Sequence, residues 1–135
     1  RFSVVLLVIS LNQARAEVDY RQYSQEYEDC ITKAPSIIQY ETCYHEEYYR
    51  IKKELAAIKA KINKLPEFAQ YNQTEKSILK TSDNMEKYGE LQCEYMQKAT
   101  EDQGSLAECK LRQLNFLYVD LYKLYKAVTE KNHKK

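Results

Sequence analysis

The chain has 135 residues, 44% of them hydrophobic and 30% charged, and its formal net charge at pH 7 is +1. This length suffices for one core, and the balanced charge gives no global attraction to nucleic acid or to anionic membranes. Two glycines and two prolines are too few for the many tight turns of a β-protein. The composition therefore predicts an all-α domain.

Residues 1–16 are unlike the rest of the chain. They begin with the cation Arg1, continue with the apolar run Phe2–Leu11 and end with an A-x-A site at residues 14–16. This order is typical of a secretory signal peptide, and the run is shorter than the roughly 20 apolar residues that span a bilayer. We therefore expect a secreted or periplasmic protein without a membrane span, whose mature part begins at Glu17.

The next stretch predicts a short helix. Tyr20, Tyr23 and Tyr27 are spaced three and four residues apart, which places them on one helical face. This helix is expected to end near Cys30, and the sequence A-P-S at residues 34–36 then turns the chain.

A first long helix is predicted over Glu41–Lys64. Its apolar side chains recur at alternating intervals of four and three residues: Tyr44, Tyr48, Ile51, Leu55, Ile58, Ile62 and Leu65. This spacing is the a/d stripe of a helix that packs against another helix. Pro66 ends the helix, because the residue before a proline avoids the α conformation.

A second long helix is predicted from Pro66, which suits a first-turn position, with a bend around Thr81–Asn84. Its stripe is weaker: Phe68, Tyr71, Glu75, Ile78, Ser82, Met85, Tyr88 or Gly89, Gln92 or Cys93, and Met96. The polar run 101–105 contains Gly104 and predicts the turn that ends this helix.

A third long helix is predicted to begin at Ser105, which forms a capping box with Glu108. Its apolar positions are Leu111, Leu114, Leu117, Tyr118, Leu121, Leu124, Tyr125 and Val128. We expect its basic tail to fray from Glu130. Residues 17–135 are thus predicted to form a single all-α domain, an antiparallel bundle of three long helices plus a short N-terminal helix.

All four cysteines lie after residue 16: Cys30, Cys43, Cys93 and Cys109. An even number in an exported chain indicates two disulfides. Three pairings are possible, and we favour Cys30–Cys43 and Cys93–Cys109 because each closes a short loop near a predicted helix end. The spacings do not match the C-x2–4-C ligand pairs of a zinc site.

The side chains needed for catalysis are scarce. His45 and His133 are the only histidines, and Gly89 and Gly104 are the only glycines. Two glycines cannot supply a phosphate-binding loop, a dinucleotide fingerprint or a nucleophile elbow. A pH-sensing or metal-binding role for His45 requires further ligands, and a solvated histidine is the default. We expect no enzyme activity, no cofactor and no metal site.

Thirteen tyrosines and no tryptophan make tyrosine the most unusual feature of the composition. Two sets share helical faces: Tyr40, Tyr44 and Tyr48, and Tyr118, Tyr122 and Tyr125. Packing at the edge of the core explains most of them, since a tyrosine hydroxyl can reach water while the ring is covered. Tyrosine is also enriched in protein interfaces, and Tyr49 and Tyr122, which lie off the predicted stripes, are the better interface candidates.

Acidic residues surround the second cysteine pair. We predict that a cationic protein partner binds there, because opposite charge steers association and a disulfide holds the segment rigid. The predicted contact residues are Glu94, Tyr95, Glu101, Asp102 and Glu108. An incidental acidic loop is the alternative. The basic residues of 50–64 predict a solvated helix face rather than a nucleic-acid site, since no aromatic residues suited to base stacking are interleaved with them.

Two sets of residues occur in a distinctive order. The C-terminal set is Tyr88, Gly89, Glu90, Leu91, Gln92, Cys93, Glu94, Tyr95 and Met96, then Gly104 and Ser105, then Cys109, Leu111, Arg112 and Leu114. The N-terminal set is Cys30, Glu41, Cys43, Ile51, Glu54 and Leu55. Together they resemble the LprI-type lysozyme-inhibitor family of bacterial envelope proteins. The resemblance implies an exported, disulfide-stapled helical protein without a cofactor, some relatives of which bind lysozyme.

Three functional hypotheses follow. The first is an inhibitor of lysozyme or of another cationic glycan hydrolase. The second is a structural or adaptor module of a cell-envelope or secreted complex, anchored through tyrosines. The third is a eukaryotic secreted helical protein, indicated by the glycosylation sequon N-Q-T at residues 72–74.

Overall fold

The computed structural model of the protein describes residues 23–100 and 104–133, and this part of the chain is helical and contains no strand. Within these residues five helices follow one another: α1 Gln25–Lys33, α2 Ile37–Asn63, α3 Pro66–Ala69, α4 Ile78–Thr100 and α5 Leu106–His133. The all-α prediction is confirmed. The chain is a helical bundle in which α2, α4 and α5 are the long members.

Both favoured disulfide pairings are confirmed. Cys30 is joined to Cys43 and Cys93 to Cys109, and the Cα atoms are 5.8 Å apart in each pair. The first disulfide ties α1 to α2, and the second ties α4 to α5. A closed loop of about 15 residues contributes roughly 3 kcal/mol to the free energy of unfolding in the chain-entropy model. The pairing therefore stabilises both helix connections.

Serine side chains cap the starts of α1 and α5. The Ser24 Oγ accepts a hydrogen bond from the Tyr27 backbone N–H at 3.1 Å, and the Ser105 Oγ accepts one from the Glu108 N–H at 3.0 Å. Each bond satisfies an amide that has no partner within its own helix. The predicted start of the last helix at Ser105 is thereby confirmed, whereas α1 begins at Gln25, later than the tyrosine spacing predicted.

The prediction of the second long helix is wrong for its first third. Pro66 starts only the one-turn helix α3, and residues 70–77 form turns before α4 begins at Ile78. The Thr74 Oγ1 donates to the Tyr71 carbonyl oxygen, and the Ser77 Oγ accepts from the Lys80 N–H. Such side chains compete with helical hydrogen bonds, so the break lies here and not at Thr81–Asn84.

The hydrophobic core lies between α2 and α5, which form the most extensive contact in the bundle. Its buried members are Ile51, Leu55, Ile58, Ile62, Leu111, Leu114, Leu117, Tyr118 and Leu121. Tyr44 and Tyr48 are half-buried and pack against this cluster, as the stripe of the first long helix predicted. Helix α2 begins at Ile37, four residues before the predicted start, and α5 remains helical to His133, past the predicted onset of fraying.

Helix α4 packs closely on α5 and reaches α2 through long polar side chains. A Cβ atom added to Gly89 would lie 3.1 Å from the Gln113 Cβ, so the two helices approach each other at a glycine. The Lys59 Nζ lies 2.7 Å from the Asp83 Oδ1, and Tyr48 donates to Glu90. These pairs run in opposite chain directions along α2 and α4. None of the described helices is long and apolar enough to cross a membrane.

Candidate protein-binding surface

Of the residues predicted to bind a partner, the structure describes Glu94, Tyr95 and Glu108. Glu94 is half-buried and pairs with Lys110, whose Nζ lies 3.0 Å from the Glu94 Oε1. Tyr95, the next residue, is 68% exposed. Glu101 and Asp102 lie outside the described residues.

Glu108, on α5, acts electrostatically on tyrosines of α1 and α2. Burial is the main cause that raises the pKa of Tyr27 and of Tyr44, and the charge of Glu108 adds to it. The Glu108 carboxylate therefore lies within electrostatic range of this tyrosine pair, whereas Glu94 pairs with Lys110. Glu94 and Tyr95 are neighbours on α4, and Glu108 lies on α5 next to Cys109, which the second disulfide joins to Cys93.

A buried carboxylate positions α1. Glu47 is 1% exposed and accepts hydrogen bonds from the Ser24 N–H at 2.6 Å, the Ser24 hydroxyl at 2.7 Å and the Arg50 Nη1 at 2.5 Å. A buried charge is tolerated only when it is paired and hydrogen-bonded in this way. Because Ser24 is also the N-cap of α1, this cluster fixes the start of α1 on α2 and has a structural role.

A small surface pocket of about 180 Å³ lies at the disulfide end of the bundle and is lined by His45, Tyr48, Tyr49, Ala107 and Lys110. His45 is exposed at its rim. Among the described residues, no group of three or more His, Cys, Asp or Glu side chains could hold a metal ion.

Tyr48 links this pocket to α4. Its hydroxyl donates a hydrogen bond to the Glu90 carboxylate, and the Lys52 Nζ lies 5.5 Å from the centre of its ring. Burial, followed by the hydrogen bond to Glu90, raises the pKa of Tyr48 to about 12. Its phenol is therefore neutral at physiological pH and acts as a fixed donor between α2 and α4.

The tyrosine candidates divide into packed and exposed ones. Tyr122 is half-buried, packs against the core and stacks on Tyr118 with ring centroids 6.0 Å apart. Tyr49 is 64% exposed and meets the Tyr48 ring edge-on at 5.7 Å. Of the two residues predicted as interface candidates, Tyr49 alone presents most of its surface to solvent.

Helix α4 has a buried inner face made of small residues. Ser82, Gly89 and Cys93 are buried, and they lie seven and four residues apart on one side of the helix. At two positions the sequence left a choice between a large and a small residue, Tyr88 or Gly89 and Gln92 or Cys93. The structure buries the small residue in both cases. Helix α4 is therefore rotated about its axis so that Tyr88 points outward.

Five large apolar side chains of α4 are exposed. We call this set the α4 outer face: Met85, Tyr88, Leu91, Tyr95 and Met96, each at least half exposed. Tyr88, Leu91 and Tyr95 follow the i, i+3, i+7 spacing that aligns side chains in one row. Sequence periodicity placed Met85, Tyr88 and Met96 in a packing stripe and therefore missed this surface. The small residues at helical spacing around Cys93 were the signal that could have revealed it.

Comparison of the chain with protein-family models, with curated proteins and with solved structures finds no match. The described part of the molecule is a disulfide-stapled helical bundle with one exposed apolar helix face. A clustered apolar face of this kind on a small folded domain is typical of a protein interaction surface.

Proposed function

We propose that this chain is an exported protein-binding domain and that the α4 outer face is its contact surface. The observation that supports this most directly is the exposure of Tyr88 at 67%, Leu91 at 50% and Tyr95 at 68% in one row of a single helix. Isolated exposed apolar residues are ordinary, but a clustered row of them costs solubility unless a partner covers it. Tyrosines in such a row are frequent anchors of binding energy.

Two features of the bundle suit it to binding outside the cytoplasm. Disulfides persist in oxidising compartments, and here two of them close helix connections. In this proposal the three long helices form an antiparallel bundle, with α5 and the disulfide supporting α4 from one side. A rigid, pre-organised surface loses little conformational entropy when it binds.

The resemblance to LprI-type inhibitors provides the first partner to test, namely lysozyme or another cationic glycan hydrolase. In that case the end of α4 with Glu94 and Tyr95 would contact the enzyme, together with the predicted residues Glu101, Asp102 and Glu108. An acidic contact of this type accelerates association with a cationic partner, and the association rate falls as salt screens the charges.

Calorimetry of the oxidised protein with lysozyme, combined with residual muramidase activity in the same samples, tests this proposal. We expect binding that weakens in Tyr95→Ala and persists in Tyr49→Ala. The two tyrosines are matched, since they are 68% and 64% exposed, but only Tyr95 belongs to the α4 outer face. A hot-spot tyrosine costs about 2 kcal/mol or more when truncated, a loss of roughly 30-fold in affinity. No binding at low salt would refute the lysozyme proposal, and equal loss in both variants would refute the α4 outer face as the contact surface.

The second candidate function is a structural or adaptor module that uses the same face without inhibiting an enzyme. The ion pair between Glu94 and Lys110 favours it, because a carboxylate that is already paired attracts a cationic partner less. Binding through Tyr88, Leu91 and Tyr95 would then be apolar and would change little with salt concentration. The salt dependence of the association rate therefore separates the two candidates.

A further inference from the structure

The charges of α4 are sorted between its two sides. All four of its acidic residues pair with lysines of α2 or α5: Asp83 with Lys59, Glu86 with Lys52 and Lys59, Glu90 with Lys52, and Glu94 with Lys110. The three lysines of α4 are exposed, and none of them forms an ion pair with a residue that the structure describes: Lys80, Lys87 and Lys98. The acids of α4 are thus paired with lysines of neighbouring helices, while its own lysines are exposed at the surface.

These lysines lie in a row along one edge of the α4 outer face. Lys80 and Lys87 are seven residues apart, Leu91 is four residues after Lys87, and Lys98 is seven residues after Leu91. Residues four and seven apart share one side of a helix. The apolar row of Tyr88, Leu91 and Tyr95 is therefore bordered by cations along its length.

We propose that the α4 outer face binds an acidic amphipathic helix of another protein. This inference rests on the α4 outer face being the contact surface, and it favours the adaptor function over the lysozyme proposal, because a cationic enzyme would meet these lysines. The apolar row has helical spacing, so the apolar face of a second helix can pack along it. Glutamate or aspartate beside the partner's apolar row would meet Lys80, Lys87 and Lys98.

An anionic membrane is a less suitable occupant of this face. Polybasic segments that hold proteins on acidic lipid contain about four to eight clustered cations, whereas α4 has three, spread over five turns. Three of the five apolar side chains are half-exposed leucine and methionine, already supported by the bundle and unable to insert as deeply as a free amphipathic helix. The spacing of the face thus favours a partner with matching helical spacing.

A library of displayed amphipathic helices tests the proposal. All members carry leucines on one face, and the positions beside that face are randomised. The library is selected on the oxidised wild-type protein and, in parallel, on Leu91→Glu as the variant with a disrupted face. We expect wild-type selection to enrich aspartate and glutamate at the randomised positions, and the helices selected should lose about tenfold in affinity for the double variant Lys80→Glu, Lys87→Glu. Lys53→Glu, which changes an exposed lysine on α2, is the matched control and should bind like the wild type.

The selected charge decides the outcome. Selection of lysine-rich or uncharged helices that depend on Leu91 would refute the acidic partner and leave the proposed contact surface standing. If selection on the wild type enriches no helix that selection on Leu91→Glu does not, both the contact surface and the acidic partner are refuted. Binding of wild type to phosphatidylglycerol vesicles without any selected helix would assign the face to a membrane and overturn the proposal. If selection on the double variant enriches arginine or lysine at the randomised positions, Lys80 and Lys87 set the charge preference of the wild type.

Discussion

Helix α2 meets its two long neighbours in opposite ways. Toward α5 it presents Ile51, Leu55, Ile58 and Ile62, which are buried against leucines of that helix. Toward α4 it presents the polar side chains of Tyr48, Lys52 and Lys59, which reach across to carboxylates. We call these contacts the apolar seam and the polar seam.

The two seams have different consequences. Burial of apolar surface stabilises a fold but is compatible with several relative orientations of two helices. Hydrogen bonds and ion pairs are directional and favour one orientation. We therefore expect the apolar seam to supply most of the stability and the polar seam to set how α4 is rotated about its axis. That rotation places Gly89 against α5 and leaves Tyr88, Leu91 and Tyr95 at the surface.

The largest effect is expected in the apolar seam. Leu55 is 2% exposed, and Leu55→Ala should lower the free energy of unfolding by about 2–5 kcal/mol, because the lost burial is compounded by a cavity. Urea unfolding followed by circular dichroism measures this loss. Leu91→Ala deletes the same atoms from the half-exposed α4 outer face and should change stability by less than about 1 kcal/mol. Equal losses at the two leucines would mean that α4 is covered on both sides, and the comparison of seams would fail.

Sequence periodicity predicted the apolar seam well and the polar seam hardly at all. The spacing from Tyr44 to Ile62 is regular, and each helix turn repeats the same physical preference, so the buried face of α2 is a local property. The disulfide partners were also predictable, because short loops between helix ends bring Cys30 near Cys43 and Cys93 near Cys109.

The rotation of α4 is a property of its neighbours. At Tyr88 and Gly89 the sequence pattern accommodates either residue inside the bundle, and hydrophobicity favours the tyrosine. The observed choice depends on the close approach of Gln113 and on the pairing of Glu86 and Glu90 with lysines of α2. These contacts join residues more than twenty positions apart, and no local spacing encodes them. The turns at residues 70–77 were missed for a related reason, since their side-chain hydrogen bonds compete with a helix that the pattern alone allowed.

A smaller effect is expected at the hydrogen bond between Tyr48 and Glu90. Tyr48→Phe should cost about 1 kcal/mol at neutral pH, because the Glu90 carboxylate loses a donor while the ring remains packed. The pKa of Tyr48 is about 12 in the folded protein, above the ordinary value of 10.0. The stability due to its neutral phenol is therefore fully present below pH 10 and is lost as the pH rises through 12.

Denaturant unfolding of wild type and Tyr48→Phe at a series of pH values tests this link. We expect the two stability curves to converge as the pH rises from 10 toward 12, because deprotonation removes the same donor from the wild type that the substitution removes from the variant. Tyr49→Phe is the matched control. The Tyr49 ring is exposed, so this variant should show the same dependence of stability on pH as the wild type. Curves that stay parallel across this range would show that the Tyr48 hydroxyl does not stabilise the polar seam.

The smallest effect is expected at the ion pair between Lys59 and Asp83. The Nζ and Oδ1 atoms are 2.7 Å apart, but the Asp83 side chain is 60% exposed, so water and salt screen most of the attraction. A double-mutant cycle with Lys59→Met and Asp83→Asn should give a coupling energy of about 0.2–1 kcal/mol that decreases at high salt. The Lys59 Nζ also lies 3.5 Å from the Glu86 Oε2, so the single variants alone would overstate the energy of the pair with Asp83.

Because the polar seam is expected to orient α4 with little gain in stability, the informative readout is the binding of the α4 outer face to a selected helix. If Lys59→Met together with Lys52→Met leaves that binding unchanged while stability falls as for Leu55→Ala, the polar seam is a stabilising contact and its orienting role is refuted.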